Sequence, residues 1–324
     1  MAEPLPRIYG LHRLPAGVER RLADRFAIDW NSEGRDLPLD RLIELSAEYD
    51  GFVTTVTDRL PEPVFAAPTR RVRIVANFGA GVNLIDLAAA RRHQVVVTNT
   101  PDVLTDCTAD LTLALILMVA RRLGEGERLL RSGGWEGWQP THHLGRRVSG
   151  RTLGIVGMGR IGVAGARRAR HGFGMAIRYA GRSPLSAELV AELDAVRLDL
   201  DDLFRDADVV SLHCPATPET EGLVDRRRLA LMRPDAVLIN TARGALVDEV
   251  AVAEAIEQGR LGGAGFDVYR NEPVIAPALL GLDRVVLLPH LGSATFETRI
   301  AMGMTVAANL EAFFSGREPP NRVA

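Results

Sequence analysis

One glycine cluster in a fixed setting constrains this chain more than anything else in it. Gly157-Met158-Gly159-Arg160-Ile161-Gly162 follows an apolar β-type run over 152–156 and opens a helical segment. In a dinucleotide site the first glycine makes the tight turn, and the second lets backbone approach the pyrophosphate. The third allows close helix–strand packing, while the helix N-terminus attracts the phosphate charge. A GxGxxG alone is a weak sign, because glycines in a plain strand–helix turn look the same. Here the strand before, the helix after and the next strand over 176–180 all stand where the fingerprint needs them.

The rest of the chain repeats that strand–helix rhythm. β-type runs over 7–11, 26–30, 51–55, 73–77 and 95–98 alternate with amphipathic segments at 16–24, 39–48 and 84–93. Such alternation predicts parallel strands joined by crossover helices. Asn99-Thr100-Pro101-Asp102 is turn chemistry that closes the first series. A long helical pattern over 105–131 follows, apolar nearly all round in its middle, which predicts burial between domains or against a second subunit. The second series continues through strands near 208–213, 236–240, 262–267 and 285–288, and ends in a helix over 294–316. A lone terminal helix makes a poor domain, so it is expected to pack back on the first series. The expected fold is α/β, with a nucleotide-binding domain over 101–290 inserted into a domain formed by 1–100 and 291–324.

Composition excludes several classes of chemistry. The 324 residues carry a net charge of −2, which gives no footprint for nucleic acid or an anionic membrane. The longest apolar run, 111–120, falls short of the roughly 20 residues that a bilayer requires. The N-terminus lacks a basic-then-apolar leader, so a cytoplasmic location is expected. Cys107 and Cys214 make neither a disulfide framework nor a zinc cage, and no metal is expected. All 39 basic residues are Arg. That rules out a Schiff-base lysine, pyridoxal-phosphate attachment and a phosphate-loop lysine. A fixed positive charge needed by chemistry here must be a guanidinium.

Several polar positions stand at strand ends. Gly79-Ala80-Gly81-Val82-Asn83 lacks a third glycine, and reads either as an anion-binding nest of amides or as a plain turn. An acidic residue is expected at the end of the second strand, where it would hold the ribose 2′-hydroxyl of NAD. Gly181-Arg182-Ser183 stands there instead, a guanidinium and a hydroxyl suited to the 2′-phosphate of NADP. Arg243, Glu272 and His290 each follow a predicted strand of the second series, at the carboxyl-end crevice where open α/β sheets bind ligands. Their spacing does not show that they meet.

Taken with the fingerprint, the runs Asn240-Thr241-Ala242-Arg243-Gly244, Gly265-Phe266-Asp267-Val268 and Pro289-His290-Leu291-Gly292-Ser293 resemble the D-isomer-specific 2-hydroxyacid dehydrogenase family. Thr100-Pro101-Asp102-Val103-Leu104-Thr105-Asp106 and the Gly79–Asn83 cluster match in the same order, so the resemblance spans nearly the whole chain. Gly133-Gly134-Trp135-Glu136-Gly137-Trp138-Gln139-Pro140 is most similar to glyoxylate and hydroxypyruvate reductases within the family. The resemblance implies a Rossmann-type domain inserted into a flavodoxin-like substrate domain.

It also implies roles. Arg243 would bind the substrate carboxylate and polarise the keto oxygen, and His290 would protonate that oxygen as hydride arrives. Glu272 would pair with the imidazole and keep it protonated. Ala80 and Gly81 would offer amides to the carboxylate. Thr105, Cys214, Pro215, Thr241, Asp267 and Gly292 would line the cofactor beside Gly157, Met158, Gly159, Arg160, Ile161, Gly162, Gly181, Arg182 and Ser183. The expected partners are a small 2-keto or 2-hydroxy acid, NADP before NAD, and a second copy in a homodimer. A broader 2-ketoacid reductase is the nearest alternative. A nucleotide-sensing corepressor is the alternative of another class.

Overall fold

A computed structural model describes residues 4–34 and 36–324. In the first series, strands β1 (Arg7–Gly10), β2 (Ala27–Trp30), β3 (Gly51–Thr55), β4 (Ile74–Phe78) and β5 (Val96–Thr98) alternate with helices. These are α1 (Ala16–Ala23), α2 (Leu39–Glu48), α3 (Glu62–Ala66) and α4 (Leu87–Arg92). The sheet is parallel in the order β2-β1-β3-β4-β5, the flavodoxin-like winding. Interior β4 is buried along its whole length, as a strand covered on both faces must be, whereas edge β2 alternates with solvent. Leu42 and Leu45 of α2 enter the core, and Arg41 and Glu44 pair on the other face.

The second series contains α5 (Thr105–Ala120), α6 (Leu123–Arg131), β6 (Thr152–Val156), α7 (Arg160–Phe173), β7 (Ala176–Ala180), α8 (Ala187–Leu193), β8 (Ala195–Arg197) and α9 (Leu200–Asp206). It continues through β9 (Val209–Leu212), α10 (Arg226–Leu229), β10 (Val237–Asn240), α11 (Glu249–Glu257), β11 (Gly263–Phe266), α12 (Pro277–Leu280) and β12 (Val285–Leu287). Its seven strands are all parallel, in the order β12-β11-β10-β9-β6-β7-β8. That is a Rossmann winding with one strand added at its far edge.

The last helix, α13 (Phe296–Phe314), packs on α1 and β4 of the first series. Gly303 lies so close to Val18 that a Cβ would stand 2.4 Å from it. Asn309 donates to the Asn99 carbonyl and accepts from the Asn321 N–H, which draws the C-terminal tail against β5. The chain therefore forms two compact units: residues up to Leu104 with Ala294–Ala324, and Thr105–Ser293.

The long helix expected over 105–131 is two helices. The Arg146 N–H takes the carbonyl of Ala120 at 2.7 Å, the returning loop at Gly145 presses on Arg121, and Arg122 turns left-handed with a φ of 55°. Leu115, Ile116 and Val119 of α5 pack into the core of their own unit, against β10, β11 and α7. Among the described residues, no helix is long and apolar enough to cross a membrane.

Candidate active site

The fingerprint turn is built around contacts that leave no room for side chains. Gly157 has a φ of +97°, and a Cβ there would stand 2.6 Å from the Cys214 N; one on Gly162 would stand 2.4 Å from the Gly157 carbonyl oxygen. Strand, turn and α7 are thereby drawn together. Gly159 differs: a Cβ there would meet nothing within 4 Å, so backbone lies open at the N-terminus of α7. An open glycine at a helix N-terminus is what a pyrophosphate requires, and these residues fit a dinucleotide.

Gly181 directly follows β7, and a Cβ on it would be 3.9 Å from the Met158 N. The end of β7 thus lies beside the fingerprint. Arg197 donates to the carbonyls of Gly181 at 2.8 Å and Arg182 at 3.2 Å, which fixes the backbone of this turn. Arg182 and Ser183 are exposed on it.

Behind the fingerprint, burial pushes the Cys214 thiol up to about 11 and His213 down to about 4. Neither is charged near neutrality. Thr241 meets Thr112 of α5 hydroxyl to hydroxyl at 3.0 Å. Thr105 begins α5, and the exposed Pro215 accepts at its carbonyl from the Thr220 hydroxyl.

Arg243, Glu272 and His290 follow β10, β11 and β12, three neighbouring parallel strands, so their loops share one edge of the sheet. Asn240 holds the first loop: its amide donates to the Arg243 carbonyl and its oxygen accepts from the Ala242 N–H. Gly244 then lies flat against the next loop, where a Cβ would be 1.9 Å from the Tyr269 carbonyl carbon. His290 donates through Nδ1 to Glu272 Oε2 at 2.8 Å, and the Tyr269 N–H donates to Glu272 Oε1 at 2.9 Å.

Asp267, only 1% exposed, ties down the turn that carries the imidazole. Its carboxylate accepts the N–H groups of Leu291 at 2.6 Å and Gly292 at 2.7 Å, and its carbonyl accepts from the His290 N–H. Gly292 in turn accepts from the Thr108 hydroxyl. His290 itself has a φ of 54°, a strained conformation for a non-glycine residue that these bonds sustain.

Electrostatics follows from those contacts. Burial pushes the Glu272 carboxyl up, but its bond to His290, that residue's charge, the Tyr269 N–H and Arg243 together hold it below the usual range. Burial outweighs the N–H donors at Asp267 and raises it. Burial also lowers Arg243, partly offset by Glu272, and a guanidinium remains charged.

The second glycine cluster lies in the other unit. Asn77, 1% exposed, donates to the carbonyls of Gly79 at 3.1 Å and Gly81 at 3.0 Å, while Asn99 donates to that of Ala80 at 2.8 Å. In a trans peptide the N–H points opposite to the preceding C=O. Each N–H of Ala80, Gly81 and Val82 therefore points away from the asparagine that holds the preceding carbonyl. In the same unit His12 reaches Asp58 at 3.0 Å and Asp36 at 4.0 Å. Asp58 is also engaged by the backbone and hydroxyl of Thr55, and the network reads as a hydrogen-bonded cap on the β3 loop.

The family model described as D-isomer specific 2-hydroxyacid dehydrogenase, NAD binding domain, matches residues 113–292. The chain belongs to this family. Glyoxylate reductase of Thermococcus kodakarensis is 44% identical over 98% of the chain and 96% of its own length. A solved protein of Thermus thermophilus superposes with a TM-score of 0.90 at 43% identity, covering 98% of this chain and all of that one. An NADPH-dependent glyoxylate/hydroxypyruvate reductase of Sinorhizobium meliloti, solved with NADP and malonate, superposes with a TM-score of 0.86 at 37% identity; it covers 98% of this chain and 97% of that one. The dehydrogenase described here uses a nicotinamide cofactor and acts between a 2-keto acid and its D-2-hydroxy acid.

Proposed function

We propose that this dehydrogenase works as a reductase of small 2-keto acids, of the glyoxylate and hydroxypyruvate class, and prefers NADPH to NADH. The observation that carries the reading is the His290–Glu272 pair, held at 2.8 Å beside Arg243 in the unit that bears the fingerprint.

When bound, the nicotinamide supplies the hydride. The chain's own residues handle charge and the proton. Arg243 binds the carboxylate and polarises the keto oxygen, a task for a planar two-pronged donor. His290 spends Nδ1 on Glu272, so Nε2 is the atom that delivers a proton to the new hydroxyl. Glu272 fixes the tautomer and the orientation of the ring. Residues 1–100 with 291–324 serve as the substrate domain, in which the amides of Ala80 and Gly81 offer donors to a carboxylate, and 101–290 serve as the cofactor domain. Asp267 and Gly292 shape the nicotinamide end through the turn they share, together with Thr105, Cys214, Pro215 and Thr241.

NADPH preference rests on Gly181, Arg182 and Ser183. A carboxylate at position 181 would repel a 2′-phosphate, whereas glycine leaves room, and Arg182 and Ser183 supply donors. Charge-assisted hydrogen bonds contribute about 1.5–3 kcal/mol each, which gives a preference on the order of 10- to 100-fold. The relative solved with NADP supports this reading.

Exposed Leu130, Trp135, Trp138 and Leu144 support a homodimer formed through the 123–144 segment, since apolar side chains so concentrated call for cover.

The deciding experiment compares kcat/KM for glyoxylate, hydroxypyruvate, pyruvate and phenylpyruvate with each cofactor. It includes a Gly181→Asp, Arg182→Ala double variant. Glyoxylate and hydroxypyruvate with NADPH should lead, and the double variant should turn the cofactor preference toward NADH. Equal or better use of NADH by the wild type would refute the cofactor reading. A lead by phenylpyruvate would refute the substrate class.

A further inference from the structure

We propose that Glu249 is a positioning residue for the proton-transfer pair, its buried carboxylate holding the start of the segment that carries Glu272. Glu249 is the first residue of α11, follows the Asp248 cap and is only 8% exposed. Its Oε1 accepts the Arg270 N–H at 2.7 Å. Asn271, Glu272 and Pro273 follow directly from that anchor. Segments that bridge two strands on a sheet edge are free to shift unless their backbone groups are bonded. Here a single buried side chain answers the N–H two residues before Glu272.

The clamp acts on the same peptide that other site elements use. Gly244 packs against the Tyr269–Arg270 bond, 2.2 Å from the Arg270 N for a notional Cβ, which couples the Arg243 turn to it. Tyr269 gives its N–H to Glu272 Oε1 and its hydroxyl to the Leu288 carbonyl, at the start of the His290 turn. The charged groups around Glu272 are His290, Arg243, Asp267 and Glu249 itself. Of these, Glu249 makes no hydrogen bond to Glu272 or His290; its bond goes to the backbone that carries Glu272. The inference rests on Glu272 being the partner of the acid, and its test separates the two.

The measurement is a double-mutant cycle on kcat with Glu249→Gln and Glu272→Gln, with KM for the keto acid and cofactor affinity followed in parallel. A glutamine keeps the volume but loses the charge that draws the Arg270 N–H. Glu249→Gln should lower kcat about 10-fold with both KM and cofactor affinity little changed, since a misplacement of about 1 Å can cost up to about 100-fold. In the Glu272→Gln background the same change should cost less than about twofold, because residues acting through one another are not additive. An equal loss in both backgrounds, or none in either, would overturn the clamp as a positioning device. If Glu272→Gln alone leaves kcat intact, the reading of Glu272 falls and the inference with it. Should Glu249→Gln fail to fold, Glu249→Asp takes its place in the cycle, since it keeps the charge but draws the carboxylate back by one methylene from the Arg270 N–H.

Discussion

Replacing Gly244 by Ala tests whether the loops after β10 and β11 form one unit of geometry. The new methyl would stand 1.9 Å from the Tyr269 carbonyl carbon and 2.2 Å from both the Tyr269 oxygen and the Arg270 nitrogen. Those neighbours are backbone, so no side chain can swing aside. To reach ordinary contact, one loop has to retreat by about 1.5 Å. Neither loop moves alone, since Arg243 precedes the glycine and the Tyr269 N–H holds Glu272 Oε1 at 2.9 Å. Overpacking of this kind costs about 1–3 kcal/mol of stability. A shift beyond 1 Å between the substrate-binding guanidinium and the proton-transfer pair should cost about 100-fold in kcat/KM. NADPH affinity should fall by less than kcat/KM, because the pyrophosphate turn after β6 does not share this contact, whereas Thr241 and Asp267 at the nicotinamide end stand on the displaced loops. Steady-state reduction followed at the nicotinamide absorbance, thermal unfolding and cofactor titration give the three quantities. Wild-type kcat/KM with an unchanged Tm would refute the coupling of the two loops.

His290→Asn should lower kcat about 100-fold or more while NADPH affinity holds; activity within a factor of a few of wild type would remove His290 as the acid. Glu272 is held below its ordinary value of 4.5, so its pairing contributes stability above about that pH and loses it as pH falls through the folded-state value. Accordingly the Tm deficit of Glu272→Gln should be full above about pH 5 and shrink below about pH 4.5, and a deficit independent of pH would contradict the pairing. Sedimentation at micromolar protein should show a dimer that Trp135→Ser with Trp138→Ser weakens; a fully active wild-type monomer would defeat the homodimer.

Much of the fold could be read from the sequence because its strands are buried on both faces. β3, β4, β9 and β10 appear as short apolar runs for that reason. β8 could not be read: it is three residues at a sheet edge, with Val196 and Arg197 exposed, and lacks the burial that gives a strand its signature. The break between α5 and α6 was hidden for another reason. It is made by an N–H that comes back from Arg146, and a periodic pattern along residues 105–131 carries no trace of that bond.

At the site, the same contrast separates residues found from residues missed. Arg243, Glu272 and His290 stand out because each is a polar residue just beyond an apolar strand, and strand ends are where parallel sheets present chemistry. What their spacing lacks is the order of the sheet. Only when β10, β11 and β12 are neighbours do three separate loops become one constellation. Glu249 sends no comparable signal. An acidic residue in a first helical turn already has an ordinary reading, as a partner for the helix dipole in water. Its burial, and its backbone donor from a loop after another strand, are tertiary facts. Asn77 and Asn240 belong with it, since each fixes a turn by answering backbone groups that a sequence does not display. Groups that touch substrate are thus legible by chemical type and position. Groups that hold those in place become legible only through the backbone bonds they complete.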